Sequence, residues 1–370
     1  MAAMRTSLDG PPAADHGDIP VRHLAVLVVG PGAVGGALLA KLLDMDDVRA
    51  AALPRMNSCA ARALEQDGLK VRNATGAVKV CTCAVLTPGD AQQQFDAALL
   101  TTKNADVAAA AAAAAPFVRE HGCVISLCNG MGHEMSIVEA RFCQSCLPNA
   151  RARRWPAALA CLALTRQPLP LQAVGQARAY VGTVSIGAHL VAPADVKLAG
   201  GGTVAFGPVC ASEAGGTREV AERVAQTLSR AGVHASVVEG GVQNTLWRKL
   251  IVNAAVNPIC ALAGVRNGAL RTGALRVLAD AVVVEACAVA RAKSVGDGAA
   301  DTGAMLEFVH DVIDKTAENL CSMACDVEAG RVTESDAITG FLVRTAQAHK
   351  VPIPRIETLH ALVKGRDGAV

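Results

Sequence analysis

Apolar and polar positions follow two different rhythms along this chain of 370 residues. Up to about residue 240, short apolar runs recur, each closed by a glycine-rich or polar break. Leu24 to Val29, Val48 to Leu53, Asp96 to Lys103 and the stretch from Val124 have the length and texture of strands covered on both faces. Two further β-like segments, Tyr180 to Ala188 and Val196 to Gly207, extend the sheet. A helix is expected over 216–231 and a last strand from Val233 to Val238. After residue 240 strand signals vanish, and helical patterns run to Lys364. The pattern predicts an α/β domain over 21–240 and an all-α domain over 241–370, preceded by a flexible tail over 1–20. Residues 141–179 hold scattered Cys, Arg and Pro, show no period and read as a surface insertion.

The first strand runs directly into Gly30-Pro31-Gly32-Ala33-Val34-Gly35, and helical Ala37 to Leu43 follow. Strand, G-x-G-x-x-G and helix in this order form a dinucleotide-binding turn of Rossmann type. Gly30 permits the tight turn, Gly32 lets the backbone approach a pyrophosphate, and Gly35 lets the helix pack closely. At the end of the second strand an NAD-selective protein places Asp or Glu for the ribose 2′-hydroxyl. Here Pro54-Arg55 stand there, and the first acid is Glu65. A guanidinium suits a 2′-phosphate, so NADP(H) is the expected cofactor; the competing reading of Arg55 is a solvated surface side chain. Lys103 and Asn129 fall at the same strand edge, where ligands bind in open parallel sheets. Asn129 also reads as an ordinary turn residue before Gly130.

In the helical half, Leu246 to Pro258 is apolar except for a stripe. At about 100° per residue Lys249, Asn253 and Asn257 fall within roughly 80° of one another. Polar groups leaving water need partners, at a cost of about 1–3 kcal/mol each when unpaired. Such a stripe is either paired internally or faces a cavity that holds a polar ligand. Pro258 predicts that the helix ends or kinks near Asn257. Ser322 is expected near the middle of a helix. Glu334 follows Thr333, which could cap a helix, and a carboxylate in a helix first turn is common for electrostatic reasons alone.

Composition narrows the function classes. Apolar residues make up 52% of the chain and aromatics 2%, so the core is built from Ala, Val and Leu. Net charge is +2, from 35 basic and 33 acidic residues, which gives no field suited to nucleic acid or an anionic membrane. The longest apolar run, Ala105 to Val118, is short for a membrane span. There are 13 cysteines, an odd number, and no secretory signal, so reduced thiols and a cytoplasmic setting are expected. Cys143-x-x-Cys146 has no second pair at matching distance, and no metal site is expected.

These marks taken in order resemble the 2-dehydropantoate 2-reductase (ketopantoate reductase) family. The resemblance covers about 22–140 and 180–366. It is carried by the Gly30 to Gly35 motif, Lys103, Cys128-Asn129-Gly130-Met131-Gly132, and Leu246 through Lys249, Asn253 and Asn257-Pro258. Arg266-Asn267-Gly268-Ala269-Leu270, Ser322-Met323 with Asp326, and Thr333-Glu334 complete it. The glycine motif alone is shared by many dehydrogenases; the Lys249, Ser322 and Glu334 segments are far more specific. Thr339 departs from the pattern, where Asn is expected. The resemblance implies a C-terminal fold like that of 6-phosphogluconate dehydrogenase, and NADPH-dependent reduction of ketopantoate to (R)-pantoate on the route to coenzyme A. It implies Lys249 as proton donor, with Glu334 beside it at the cofactor and active site. Asn253, Asn257, Asn267 and Ser322 would hold the substrate, and Asn129 and the Ala188 backbone the cofactor. Expected partners are a small 2-keto acid and, at most, a second copy of the chain. The alternatives are a reductase of another small 2-keto acid and a non-catalytic NADP-binding protein.

Overall fold

A computed structural model describes residues 23–132, 178–209, 215–239 and 242–367. The expected tail over 1–20, and nearly all of the expected insertion over 141–179 with its Cys143-x-x-Cys146, lie outside the described residues.

The chain opens with β1 (Leu24–Val29), α1 (Ala33–Leu43) and β2 (Val48–Leu53), at the positions the apolar runs predict. All six β1 side chains are buried. Ala25, Leu27 and Val29 enter one core cluster, and Leu24, Val26 and Val28 enter the other. The strand period of two thus serves a sheet covered on both faces. After α2 (Cys59–Asp67) come three short strands that the apolar pattern does not reveal: β3 (Leu69–Arg72), β4 (Val78–Cys81) and β5 (Ala84–Val85). β4 and β5 are brief and largely exposed, and β3 alternates buried Leu69 and Val71 with half-buried Lys70 and Arg72, so none of the three carries a long buried run.

Then follow β6 (Phe95–Leu100), α3 (Val107–Ala114) and β7 (Val118–Ser126). The Ala-rich stretch is α3, which buries Val107, Ala110, Ala111 and Ala114, one helical face. Among the described residues no helix is long and apolar enough to cross a membrane. The long hairpin β8 (Ala179–Ala192) and β9 (Asp195–Pro208) joins the sheet, followed by α4 (Gly215–Arg230) and β10 (Val233–Val237).

The strand order is β4-β3-β9-β8-β7-β6-β1-β2-β5, with β10 also paired to β9. The run β2-β1-β6-β7-β8 is parallel. The chain passes from β1 to β2 on one side and returns to β6 on the other. The switch point therefore lies between β1 and β6, where a parallel sheet offers its binding crevice.

Beyond this sheet the described elements are helical: α5 (Gln243–Ala263), α6 (Gly273–Ala292), α7 (Thr302–Lys315), α8 (Ser322–Glu328), α9 (Thr339–His349) and α10 (Pro354–Asp367). Leu27, Val29, Leu100 and Val107 share one buried cluster with Trp247, Leu250 and Ile251 of α5, so the helical half packs on the sheet layer through a continuous core. Trp247 meets Phe341 edge to face at 5.8 Å.

Two local expectations need correction. Helix α5 does not end at Asn257; it runs through Pro258 to Ala263 and stops at left-handed Gly264. Proline removes one donor from the ladder, and burial of Ala254 to Ala261 on both sides carries the helix past that loss. Ser322 is not mid-helix. It is the first residue of α8, after a break in which the Cys321 thiol accepts from the Ala324 amide as N-cap.

Candidate active site

The glycine turn behaves as its residues require. Gly30 has φ +71°, a value that L side chains rarely adopt, and a Cβ there would strike the Thr102 side chain. Gly32 is the N-cap of α1, with no side-chain cap and no acid in the first turn. The nearest atom to a Cβ on Gly32 is the Gly30 carbonyl at 4.0 Å, so this backbone faces open space. Gly35 packs not on β1 itself but against Thr101, whose hydroxyl donates to the Val29 and Gly30 carbonyls, each at 3.0 Å. A helix start without a side-chain cap, its positive dipole end and no acid in the first turn fit a pyrophosphate. Pro31 is buried, and Ala33 and Val34 are half-buried in the opening turn. At the end of β2, Arg55 is exposed, and Ser58 caps α2 by accepting from the Ala61 amide at 3.1 Å.

The stripe on α5 meets the ends of the sheet. The Lys249 ammonium donates to Asn129 Oδ1 at 2.8 Å and to the Val184 carbonyl of β8 at 2.5 Å. Asn129 Nδ2 in turn donates to Glu334 Oε2 at 3.2 Å. An ammonium can only donate, which fixes the amide's orientation: oxygen toward Lys249, nitrogen toward the carboxylate. Burial lowers the Lys249 pKa to about 8, with the Glu334 carboxylate opposing that shift. Burial raises the Glu334 carboxyl, opposed by the Asn129 hydrogen bond, the Lys103 charge and the Asn104 amide. The array is a poised ammonium linked through one amide to a carboxylate.

Lys103 reaches across to the helical half, where its ammonium binds Asp326 at 3.2 Å and the Val332 carbonyl at 2.9 Å. Asp326 also pairs with Arg331 at 2.8 Å. Glu334 stands ahead of a single 3-10 turn, Ser335–Ala337, and not at a helix first turn.

The residues expected to hold substrate are brought together by backbone contacts. Asn253 is half-buried and Asn257 buried on α5, one and two turns beyond Lys249. The Cys321 thiol donates to the Asn257 carbonyl at 3.6 Å, which sets the exposed Ser322 beside that turn of α5. The Asn267 amide donates to the Asn319 carbonyl at 3.0 Å, and Gly268 to that of Ala317 at 2.9 Å, so this loop lies on the segment leading to Ser322. Asn267 Nδ2 donates to Thr316 Oγ1 at 2.9 Å, while its Oδ1 is buried without a partner. Thr339, the departure from the family pattern, is fully buried and bonded to the Ser335 carbonyl and His360.

Ala188 is not brought to this cluster. It lies four residues past Val184 on β8, about 13 Å by strand rise, and pairs with Leu198. Two groups join the site unannounced by the sequence. Val184 acts through its carbonyl, and a backbone contact leaves no residue signature. Asn104 donates to the Asn129 carbonyl at 3.1 Å; its position directly after Lys103 was the available signal. The shallow surface depressions beside Leu64 and beside Arg218 contain none of these residues.

Fold and site together define a two-domain, dinucleotide-dependent oxidoreductase. The ketopantoate reductase PanE/ApbA family model matches residues 26–210, and its C-terminal counterpart matches 241–367. The chain belongs to the ketopantoate reductase family. It is 29% identical over 349 residues to the 2-dehydropantoate 2-reductase of Halobacterium salinarum, covering 93% of this chain and 100% of that one. The Pyrococcus horikoshii 2-dehydropantoate 2-reductase is 29% identical over 348 residues, with 93% and 98% covered. Among solved structures, D-mandelate dehydrogenase with NADH and anilino(oxo)acetate superposes with a TM-score of 0.76 at 20% identity, covering 94% of this chain and 99% of the other. A PanE/ApbA family ketopantoate reductase from Ralstonia eutropha JMP134 gives 0.70 at 23% identity, with 94% and 99% covered.

Proposed function

We propose that this protein reduces 2-dehydropantoate to (R)-pantoate with NADPH, in the cytoplasm, on the route to pantothenate and coenzyme A. The observation that carries the reading is the Lys249–Asn129–Glu334 array. The N-terminal domain, to about residue 240, binds the cofactor; the helical domain after it supplies the acid and the substrate contacts. The cofactor, when bound, supplies hydride to the keto carbon. Gly30 to Gly35 hold its pyrophosphate, and Arg55 its 2′-phosphate. Lys103 and Asn129 face it from the other strands.

The remaining work falls to the side chains of the helical half. A keto oxygen that gains negative charge needs a cation nearby and then a proton. Lys249 provides both. Its lowered pKa makes it a better donor than an exposed lysine, and Glu334, through Asn129, opposes its loss of charge. Val184 O and Asn129 Oδ1 orient the ammonium by accepting two of its three protons, leaving the third for the substrate oxygen. Asn253, Asn257, Asn267 and Ser322 present the polar groups that hold the acid and its tail.

The test is NADPH oxidation with ketopantoate and a panel of small 2-keto acids, run with Lys249→Ala beside the wild type. Turnover of ketopantoate that the substitution abolishes supports the reading. Turnover of another 2-keto acid, with ketopantoate inert, moves the substrate within the class. Turnover unchanged in the variant refutes the role of Lys249.

A further inference from the structure

The segment that carries Glu334 is held from outside by one face of α10. Asp367 accepts hydrogen bonds from the Thr333 amide at 3.1 Å and from the Thr333 hydroxyl at 2.9 Å. The same hydroxyl oxygen accepts from the Ser335 amide at 3.3 Å. Thr333 therefore closes a bridge over Glu334, and Asp367 anchors it. One turn back, the Lys364 ammonium donates to Asp336 at 2.9 Å. A turn further back, His360 Nδ1 meets the Thr339 hydroxyl at 3.0 Å. His360, Lys364 and Asp367 are spaced by four and three residues, so they form one ladder along the helix.

On its inner side the same segment sets the loop that carries Asn129. The Met131 amide donates to the Ala337 carbonyl at 3.0 Å. A Cβ on Gly130 would meet Ala337 at 2.6 Å, so the two backbones touch. The placement of residues 333–337 thus decides where both Glu334 and Asn129 stand.

The three rungs are unequal. The Lys364–Asp336 pair is solvent-exposed, and such pairs contribute little. Thr339 already donates to the Ser335 carbonyl. Asp367 makes two charge-assisted bonds to a buried residue that directly precedes Glu334.

We propose that Asp367 is a positioning residue of the reductase site: by holding Thr333 it keeps the Glu334 carboxylate on Asn129, and through Asn129 it orients Lys249. It touches neither substrate nor cofactor. The proposal rests on the roles given above to Lys249 and Glu334. The titratable groups that bear on Lys249 are Glu334 and Cys128, and those that bear on Glu334 are Lys103 and Asp326.

The experiment compares Asp367→Ala, Asp367→Glu and Lys364→Ala in the full chain, with NADPH and ketopantoate, alone and combined with Glu334→Gln. Asp367→Ala is expected to lower kcat about 10- to 100-fold, the effect of a misplaced rather than a missing group. Both KM values should stay within about twofold. The alkaline limb of the kcat profile should move to lower pH, because Lys249 loses the nearby carboxylate. Asp367→Glu should recover most of the rate, and Lys364→Ala should match the wild type. In the Glu334→Gln background, Asp367→Ala should lower kcat by less than it does alone. Amide exchange by mass spectrometry should rise in 333–339 and at Met131, whose amide is bonded to Ala337, and stay unchanged elsewhere.

A wild-type kcat and pH limb in Asp367→Ala, an effect that multiplies with Glu334→Gln, or faster exchange throughout the chain would each overturn the proposal. If the wild type turns over no 2-keto acid, the reductase reading fails instead. The exchange of 333–339 then still decides whether Asp367 holds that segment.

Discussion

Asn129 accepts from the Lys249 ammonium at 2.8 Å through the oxygen of an amide whose nitrogen is bonded to Glu334. One side chain thus joins a cation and an anion that do not touch. Asn129→Asp would replace the donor toward Glu334 by a second carboxylate. Like charges would then meet in a half-buried site, while Lys249 gained an anionic partner. A fall in kcat of about 10²-fold or more is expected, comparable with the loss of an acid catalyst's alignment. Asn129→Ala should lose a similar amount without the repulsion. Steady-state kinetics of both variants, with melting curves to exclude unfolding, would check this; two variants at wild-type kcat would show that the bridge is dispensable.

The pH profile follows from Lys249. Burial lowers its pKa to about 8, and in the proposed reduction the protonated form is the donor. Reductive turnover should therefore be full below about pH 8 and lost as pH rises through that value. Glu334→Gln removes a charge that raises the Lys249 pKa, so the limb should move to lower pH. Measuring kcat against pH for both proteins decides the matter. A limb in the ordinary lysine range, or one that Glu334→Gln leaves in place, removes Lys249 as the titrating acid.

Much of this site is legible in the chain because its chemistry is carried by side chains at helical or strand-end spacing. Lys249, Asn253 and Asn257 repeat every four residues, and the glycine turn sits between a buried run and a helix. What escapes has a physical reason. Val184 contributes a carbonyl, which every residue has. Short exposed strands such as Val78–Cys81 gain their order from pairing with a neighbour and not from a buried run. Ser322 looks mid-helix because its neighbours are helix formers; the break before it is closed by the Cys321 thiol, an uncommon cap. Pro258 predicts an end or a kink near Asn257, and packing on both sides carries the helix past it to Ala263.

Arg55 tests the proposed preference for NADPH. It is exposed at the end of β2, with no acid near it in sequence before Glu65. Arg55→Ala should weaken NADPH binding by about 1.5–3 kcal/mol, the scale of a charge-assisted hydrogen bond, and change NADH little. Titration of both cofactors by quenching of protein fluorescence measures it, and equal effects on the two would remove Arg55 from the 2′-phosphate.

Gly30 tests the turn. Its φ of +71° and the Thr102 side chain together exclude a Cβ. Gly30→Ala should cost at least about 1–2 kcal/mol for the left-handed backbone alone. NADPH affinity should fall further, because the amides that follow are displaced. Calorimetric melting with and without NADPH separates the two losses. An unchanged melting temperature and unchanged ligand-induced shift would show that the turn tolerates a side chain.

Glu285 governs the helix behind the site. It is buried on α6, and its carboxylate accepts from the Arg355 and Ile356 amides at 3.0–3.1 Å, at the first turn of α10. Pro354 occupies the first helical position, where a missing N–H does no harm. The carboxylate thus serves as a cap delivered from another helix, and the Arg355 guanidinium adds a partner that is itself mostly in water. Glu285→Ala should destabilise the fold by about 1–2 kcal/mol, the upper range for loss of a cap. Since α10 carries His360, Lys364 and Asp367, its fraying should also speed exchange in 333–339. Glu285→Gln keeps an acceptor and should recover part of the stability. A Glu285→Ala protein with the wild-type melting temperature, or with exchange confined to residues outside α10 and 333–339, would disconnect this cap from the Glu334 segment.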